Sequence, residues 1–95
     1  MTLDTLKANN AANGHYWFSP DTMRFFRCRV SERLYRAADG AVYFVSSERV
    51  PLAARRYTVR VTRDAGATID TVGQFQSYSN ARTAHAAARH FARGK

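Results

Sequence analysis

Ninety-five residues, 45% of them hydrophobic and 13% aromatic, suffice for one small core and exclude an intrinsically disordered chain. Fifteen Lys and Arg against seven Asp and Glu give a net charge of +8. Thirteen of the bases are Arg, whose planar fork of donors suits phosphate and carboxylate, so a polyanion is the expected partner. The lone cysteine, Cys28, excludes an intramolecular disulfide and fits a reducing compartment. No segment has the apolar length of a membrane span and no signal-peptide core follows Met1, so no membrane association and a cytoplasmic location are expected.

Thr2 to Ala8 predicts one or two helical turns with Leu3 and Leu6 as the apolar pair. The turn formers Asn9, Asn10, Asn13 and Gly14 come next. Residues 1–13 therefore read as a lightly docked or mobile N-terminal arm, and 14–95 as a single α+β domain. His15-Tyr16-Trp17-Phe18 is the densest aromatic patch, suited to a core and, if exposed, to base stacking. Ser19, Pro20 and Asp21 form a helix start, predicting a short helix over Pro20 to Phe26 with Met23 and Phe26 facing the core and Phe25 a further candidate.

Arg27 to Tyr35 alternates, with Cys28, Val30 and Leu34 on one side and Arg27, Arg29, Ser31, Arg33 and Tyr35 on the other. Ala38-Asp39-Gly40 is a hairpin turn, and Ala41 to Ser47 is the partner strand. Glu48 to Arg55 reads as a loop because Pro51 cannot donate in a ladder. Arg56 to Arg63 alternates strictly, placing Tyr57, Val59 and Val61 on an apolar wall and Arg56, Thr58, Arg60 and Thr62 on a cationic one. Asp64-Ala65-Gly66 is a second turn, and Ala67 to Val72 returns as a fourth strand carrying Ile69.

Gly73 to Tyr78 turns the chain, and Ser79 or Asn80 caps a final helix that runs to about Arg93 and stops at Gly94. Ala81, Ala84, Ala88 and Phe91 fall on its packing face, and Arg82, Arg89 and Arg93 on the opposite stripe. The expected fold is α+β: a four-stranded antiparallel sheet of two hairpins, a short N-terminal helix, and a C-terminal Ala-rich helix packed on one face. Tyr57, Val59, Val61, Val42, Phe44, Ile69, Ala84, Ala88 and Phe91 are the expected core.

The chemistry points to a surface rather than a reaction. If the hairpins lie side by side, Arg27, Arg29, Arg33, Arg56 and Arg60 share one outer wall, and Arg82, Arg89 and Arg93 add a second basic stripe. Together they form a polyanion-binding site, with a solvated face damped by Glu32, Glu48 and Asp70 as the bland alternative. His85 and His90, five apart on one helix, do not face one ligand, and no second cysteine exists, so no metal or other cofactor is expected. No nucleophile is brought to a base by any motif, so no enzyme activity is expected; a metal-free ribonuclease using His and Arg needs no motif and stays open as the alternative.

The order Gly14-His15-Tyr16-Trp17-Phe18-Ser19-Pro20-Asp21-Thr22-Met23-Arg24-Phe25-Phe26, then Tyr43-Phe44-Val45-Ser46-Ser47-Glu48, then Arg56-Tyr57-Thr58-Val59-Arg60 and Thr71-Val72-Gly73-Gln74-Phe75-Gln76, resembles small uncharacterised proteins encoded by bacteriophages and prophages. The likeness covers about Gly14 to Ala92 and carries no catalytic residues. It implies an accessory protein acting in the cytoplasm of a bacterial host. It also implies a second reading, in which the protein inhibits a host complex such as a CRISPR or other defence effector.

Overall fold

The computed structural model describes residues 2–25 and 27–94. Phe26, which the sequence places in the core beside Met23, lies outside the described residues. In chain order the elements are α1 (Leu3–Ala12), α2 (Pro20–Phe25), β1 (Arg29–Val30), β2 (Tyr35–Arg36), β3 (Val42–Glu48), β4 (Arg56–Thr62), β5 (Asp70–Thr71) and α3 (Ala81–Ala92). The protein is α+β, with an antiparallel sheet and the C-terminal helix packed against it.

The sheet follows from the two turns. β3 pairs with β4 over its whole length, from Val42 opposite Thr62 to Glu48 opposite Arg56. The first predicted strand is split: Tyr35 lies opposite Tyr43, but Val30 lies opposite Ser46. Two extra residues are thus accommodated between β1 and β2, where the Ser31 hydroxyl accepts from the Arg33 N–H at 3.2 Å. An even insertion keeps every side chain on its own face. The path β1–β3–β4–β5, with β2 beside β1 on β3, is the meander expected of consecutive hairpins.

β3 is buried at every position, and this sets the architecture. Tyr43 and Val45 face one side, against Val59 and Val61 of β4 and Ala84 and Ala88 of α3. The alanines leave no side-chain bulk between helix and sheet, so α3 lies close. Asn80 caps it, its Oδ1 accepting from the Thr83 N–H at 2.8 Å. Val42 and Phe44 face the other side, where Leu6 of α1 and the rings of Trp17 and Phe18 cover them. The expected core thus divides between two faces, and Tyr57, Ile69 and Phe91 stand at its margins, half-buried or exposed.

The expectation of a lightly docked or mobile N-terminal arm is corrected here to a firmly docked helix. Leu3, Leu6 and Asn10, spaced three and four apart, bury one face of α1. The amide of Asn10 donates to the carbonyls of Gly66 (2.9 Å) and Ala67 (3.2 Å) and accepts from the Trp17 N–H at 3.2 Å. Asn9 donates to the Ala65 carbonyl at 2.8 Å. The asparagines that read as turn formers therefore fasten α1 to the β4–β5 turn. Gly66 permits this approach: its φ is +101°, and a Cβ there would stand 2.5 Å from the Leu6 carbonyl oxygen.

Candidate anion-binding cleft

The expected wall of five arginines does not assemble. Arg60 is buried at 8% exposure, and its Nη2 lies 3.1 Å from Oε2 of Glu48, itself 2% exposed. Alternation placed Arg60 on the side opposite Val59 and Val61, and it is there; that side, however, is covered. Trp17 and Phe75 stand 5.2 and 5.5 Å from its guanidinium carbon, its Nε donates to the Ser46 hydroxyl at 2.9 Å, and its Nη1 donates to the Thr71 hydroxyl. Glu48 also accepts from the hydroxyls of Ser46 (2.5 Å) and Thr58 (2.8 Å). Among the described residues no buried side-chain polar atom is left unpaired. This is a closed polar core, and Arg60 is withdrawn from any surface role.

The remaining arginines are exposed but scattered. Arg56, opposite Glu48, turns its Nε to the Gln76 carbonyl at 2.7 Å and pins the loop after β5. Arg29 lies opposite Ser47, on the α3 side of the sheet rather than the Arg56 side. Arg33 stands near α3, and Arg82, Arg89 and Arg93 are exposed on or beside that helix.

Arg27 and Arg29 are brought together with three arginines that alternation did not single out. An open cleft of about 450 Å³ is lined by Arg24 and Arg27 from the end of α2, by Cys28 and Arg29, and by Arg49 and Arg55. Arg49 and Arg55 directly follow β3 and precede β4. Because Glu48 pairs with Arg56, the two ends of the intervening loop meet at one rim. That signal was present in the sequence as a base at each end of the predicted 48–55 loop. Arg49 Nε donates to the Ala53 carbonyl at 3.3 Å, closing the loop. Arg55 Nη1 donates to the Arg27 carbonyl (2.9 Å), the Ser47 carbonyl (3.1 Å) and the Ser47 hydroxyl (2.9 Å), tying the loop to the end of α2.

The turn at Arg27 is unusual. Cys28 N–H reaches the Met23 carbonyl at 2.6 Å and Arg27 N–H the Arg24 carbonyl at 3.1 Å, the two bonds of a Schellman helix end. That end calls for a left-handed residue, usually glycine, yet Arg27 holds it with φ 49°. A penalty of about 1 kcal/mol for carrying a Cβ in this conformation is accepted at a residue whose side chain lines the cleft. Neither the Arg27 nor the Arg29 side chain has a hydrogen-bond or ion-pair partner among the described residues. Among the described residues no carboxylate lines the cleft; Asp21 is not in its lining and stands 2.5 Å from Arg24 Nη2.

Cys28 is a poor nucleophile in this setting. Burial, then the Glu48 carboxylate, which accepts its S–H at 3.7 Å, pushes the thiol up to about 12. His85 is half-buried, with Nδ1 2.9 Å from the Tyr35 hydroxyl. Burial, then Arg33 and Arg89, holds its ring below the ordinary histidine range. Among the described residues no three His, Cys, Asp or Glu side chains gather as a metal site would require, and no helix is long and apolar enough to cross a membrane.

No curated protein and no solved structure matches the chain. A family model does, over residues 2–89, which takes in α1, both hairpins and most of α3. The match spans nearly the whole fold, and the protein therefore belongs to the family of unknown function DUF7447.

Proposed function

We propose that the protein is a non-catalytic binding module for a polyanion, most simply nucleic acid, and that phosphate is taken in the cleft between α2, β1 and the β3–β4 loop. The observation that carries this reading is the convergence of Arg27, Arg29, Arg49 and Arg55 on one opening, joined by Arg24 with its Asp21 partner, and with no acidic side chain among the described residues of the lining. Permanently charged guanidinium groups held this near one another repel, and an anion among them relieves the repulsion. The left-handed Arg27 supports the reading, because local strain is retained where a side chain has to be aimed.

Fluorescence anisotropy with short DNA and RNA, duplex and single-stranded, tests it. Affinity should fall steeply with salt, by about 0.9 log units per log unit of salt for each duplex phosphate neutralised. Arg27→Gln with Arg49→Gln should weaken binding to all sequences alike and flatten that slope by about two, with little change in Tm. Absence of salt-sensitive binding to every probe overturns the reading.

A second reading has its own support. Phe25 and Leu52, 76% and 106% exposed, stand on the two elements that frame the cleft. Apolar side chains beside arginines suit an acidic protein surface, as an accessory protein of phage type would use against a host complex. Capture of one host protein from nuclease-treated lysate, with loss of capture in the same arginine variant, distinguishes it.

A further inference from the structure

A second, smaller cleft lies where β1 meets the start of α3. It measures about 210 Å³ and is lined by Arg29, Ser47, Tyr57, Ala81 and His85 among others. Arg29 is shared with the larger cleft. We propose that this cleft is a phosphate subsite, in which Arg29 of the lining supplies the charge, Arg33 and Arg89 near His85 add to it, and His85 binds a proton together with the phosphate. The proposal rests on the polyanion reading and extends it: a single strand held by the first cleft passes Arg29 and places its next phosphates here.

The size is right for one small charged group, since clefts that enclose drug-sized ligands run to roughly 300–1,000 Å³. The chemistry is right as well. The groups facing His85 are Arg29 from β1, Arg33 from the β1–β2 segment, Tyr35 from β2, Tyr57 from β4 and Arg89 from α3 itself. None of them is a carboxylate. Tyr35 engages Nδ1 at 2.9 Å and so fixes the ring, which leaves Nε2 as the nitrogen able to present an N–H to a ligand. Burial first, then Arg33 and Arg89, disfavours the charged ring. A phosphate in the cleft offsets that positive field, so the bound state holds the proton more tightly than the free state.

The sign follows directly. The bound ring has the higher midpoint, so binding gains strength as pH falls and loses it as pH rises through that midpoint. A phosphodiester keeps one charge throughout, so the pH dependence then belongs to the protein.

The test is an NMR titration of the three histidine rings in the full chain, with inorganic phosphate or with chloride at matched ionic strength. His15 and His90, both exposed, are internal controls. Phosphate should move the midpoint of His85 upward and leave the other two in place. A four-nucleotide single strand should bind roughly tenfold tighter once the ring is protonated. His85→Gln, which retains a hydrogen-bonding group for Tyr35, should abolish that dependence, and Arg33→Gln should weaken binding at every pH. If the strand binds with the expected salt dependence but His85 titrates unchanged, the subsite is overturned and the larger cleft stands. If phosphate moves His85 but no oligonucleotide binds, the subsite stands and the polynucleotide reading falls. If phosphate moves all three rings alike, the effect is general screening and the proposal is overturned.

Discussion

Arg60→Met separates a structural arginine from the surface ones. Methionine keeps much of the apolar stem that packs under Trp17 and Phe75, so the change removes chiefly charge and hydrogen bonds. It leaves Glu48, 2% exposed, without its cation, and leaves the Ser46 and Thr71 hydroxyls without a donor. Breaking a buried pair by removing one partner costs about 3–5 kcal/mol. The parts agree: a hydrogen bond to a charged group contributes about 1.5–3 kcal/mol, and each neutral bond about 1 kcal/mol. For a domain of this size the Tm should drop by roughly 15–30 °C. Urea unfolding followed by Trp17, the only tryptophan, measures the effect. Adding Glu48→Gln to Arg60→Met removes the stranded charge and should restore about 2 kcal/mol, so the two substitutions couple strongly. A loss under about 1 kcal/mol for Arg60→Met, or single effects that merely add, would refute the buried pair.

Ala88→Leu forces bulk into the contact between α3 and the sheet, where Ala88 has no exposure; a loss of about 1–3 kcal/mol in urea unfolding is expected. The Cys28 thiol, pushed up to about 12 from 9.0, should resist iodoacetamide at pH 8 in the native protein and react quickly in urea. Because the folded thiol keeps its proton where the unfolded one loses it, its stabilising contribution is complete below pH 9 and disappears between pH 9 and about 12. Comparison of the wild type with Cys28→Ala over that range isolates the effect.

Strand β4, both hairpin turns and the capped α3 were legible because each rests on local rules: period-two alternation, Asp-Gly type turns, and Asn80 before an alanine-spaced face. The second sheet face was not legible, because a cover belongs to tertiary packing. Alternation tells which residues share a side and says nothing about whether that side is wet. Arg60 and Thr58 were assigned to water by their polarity, yet Glu48 on the neighbouring strand supplies the opposite charge, and Ser46, Thr58 and Thr71 complete its hydrogen bonding. One sign of this was in the sequence. From Ala41 to Ser47 there is no charged residue on either side of β3, as expected of a strand buried on both faces.

The cover itself comes from α1 and the Trp17-Phe18 segment, whose attachment depends on Asn9 and Asn10 reaching carbonyls 56 and 57 residues away. Local propensity carries no information about such a distance. The same reasoning explains the displacement of the candidate site. Once one face is closed over Arg60, the sheet's arginines that stay in water are those at strand ends, where the chain leaves the sheet. There they cluster by register, as Arg49 and Arg55 do beside Arg27 and Arg29. The positive charge of this small domain thus divides by depth: one arginine neutralised inside to join two strands, and a rim of arginines outside, with no carboxylate among the described residues lining the cleft.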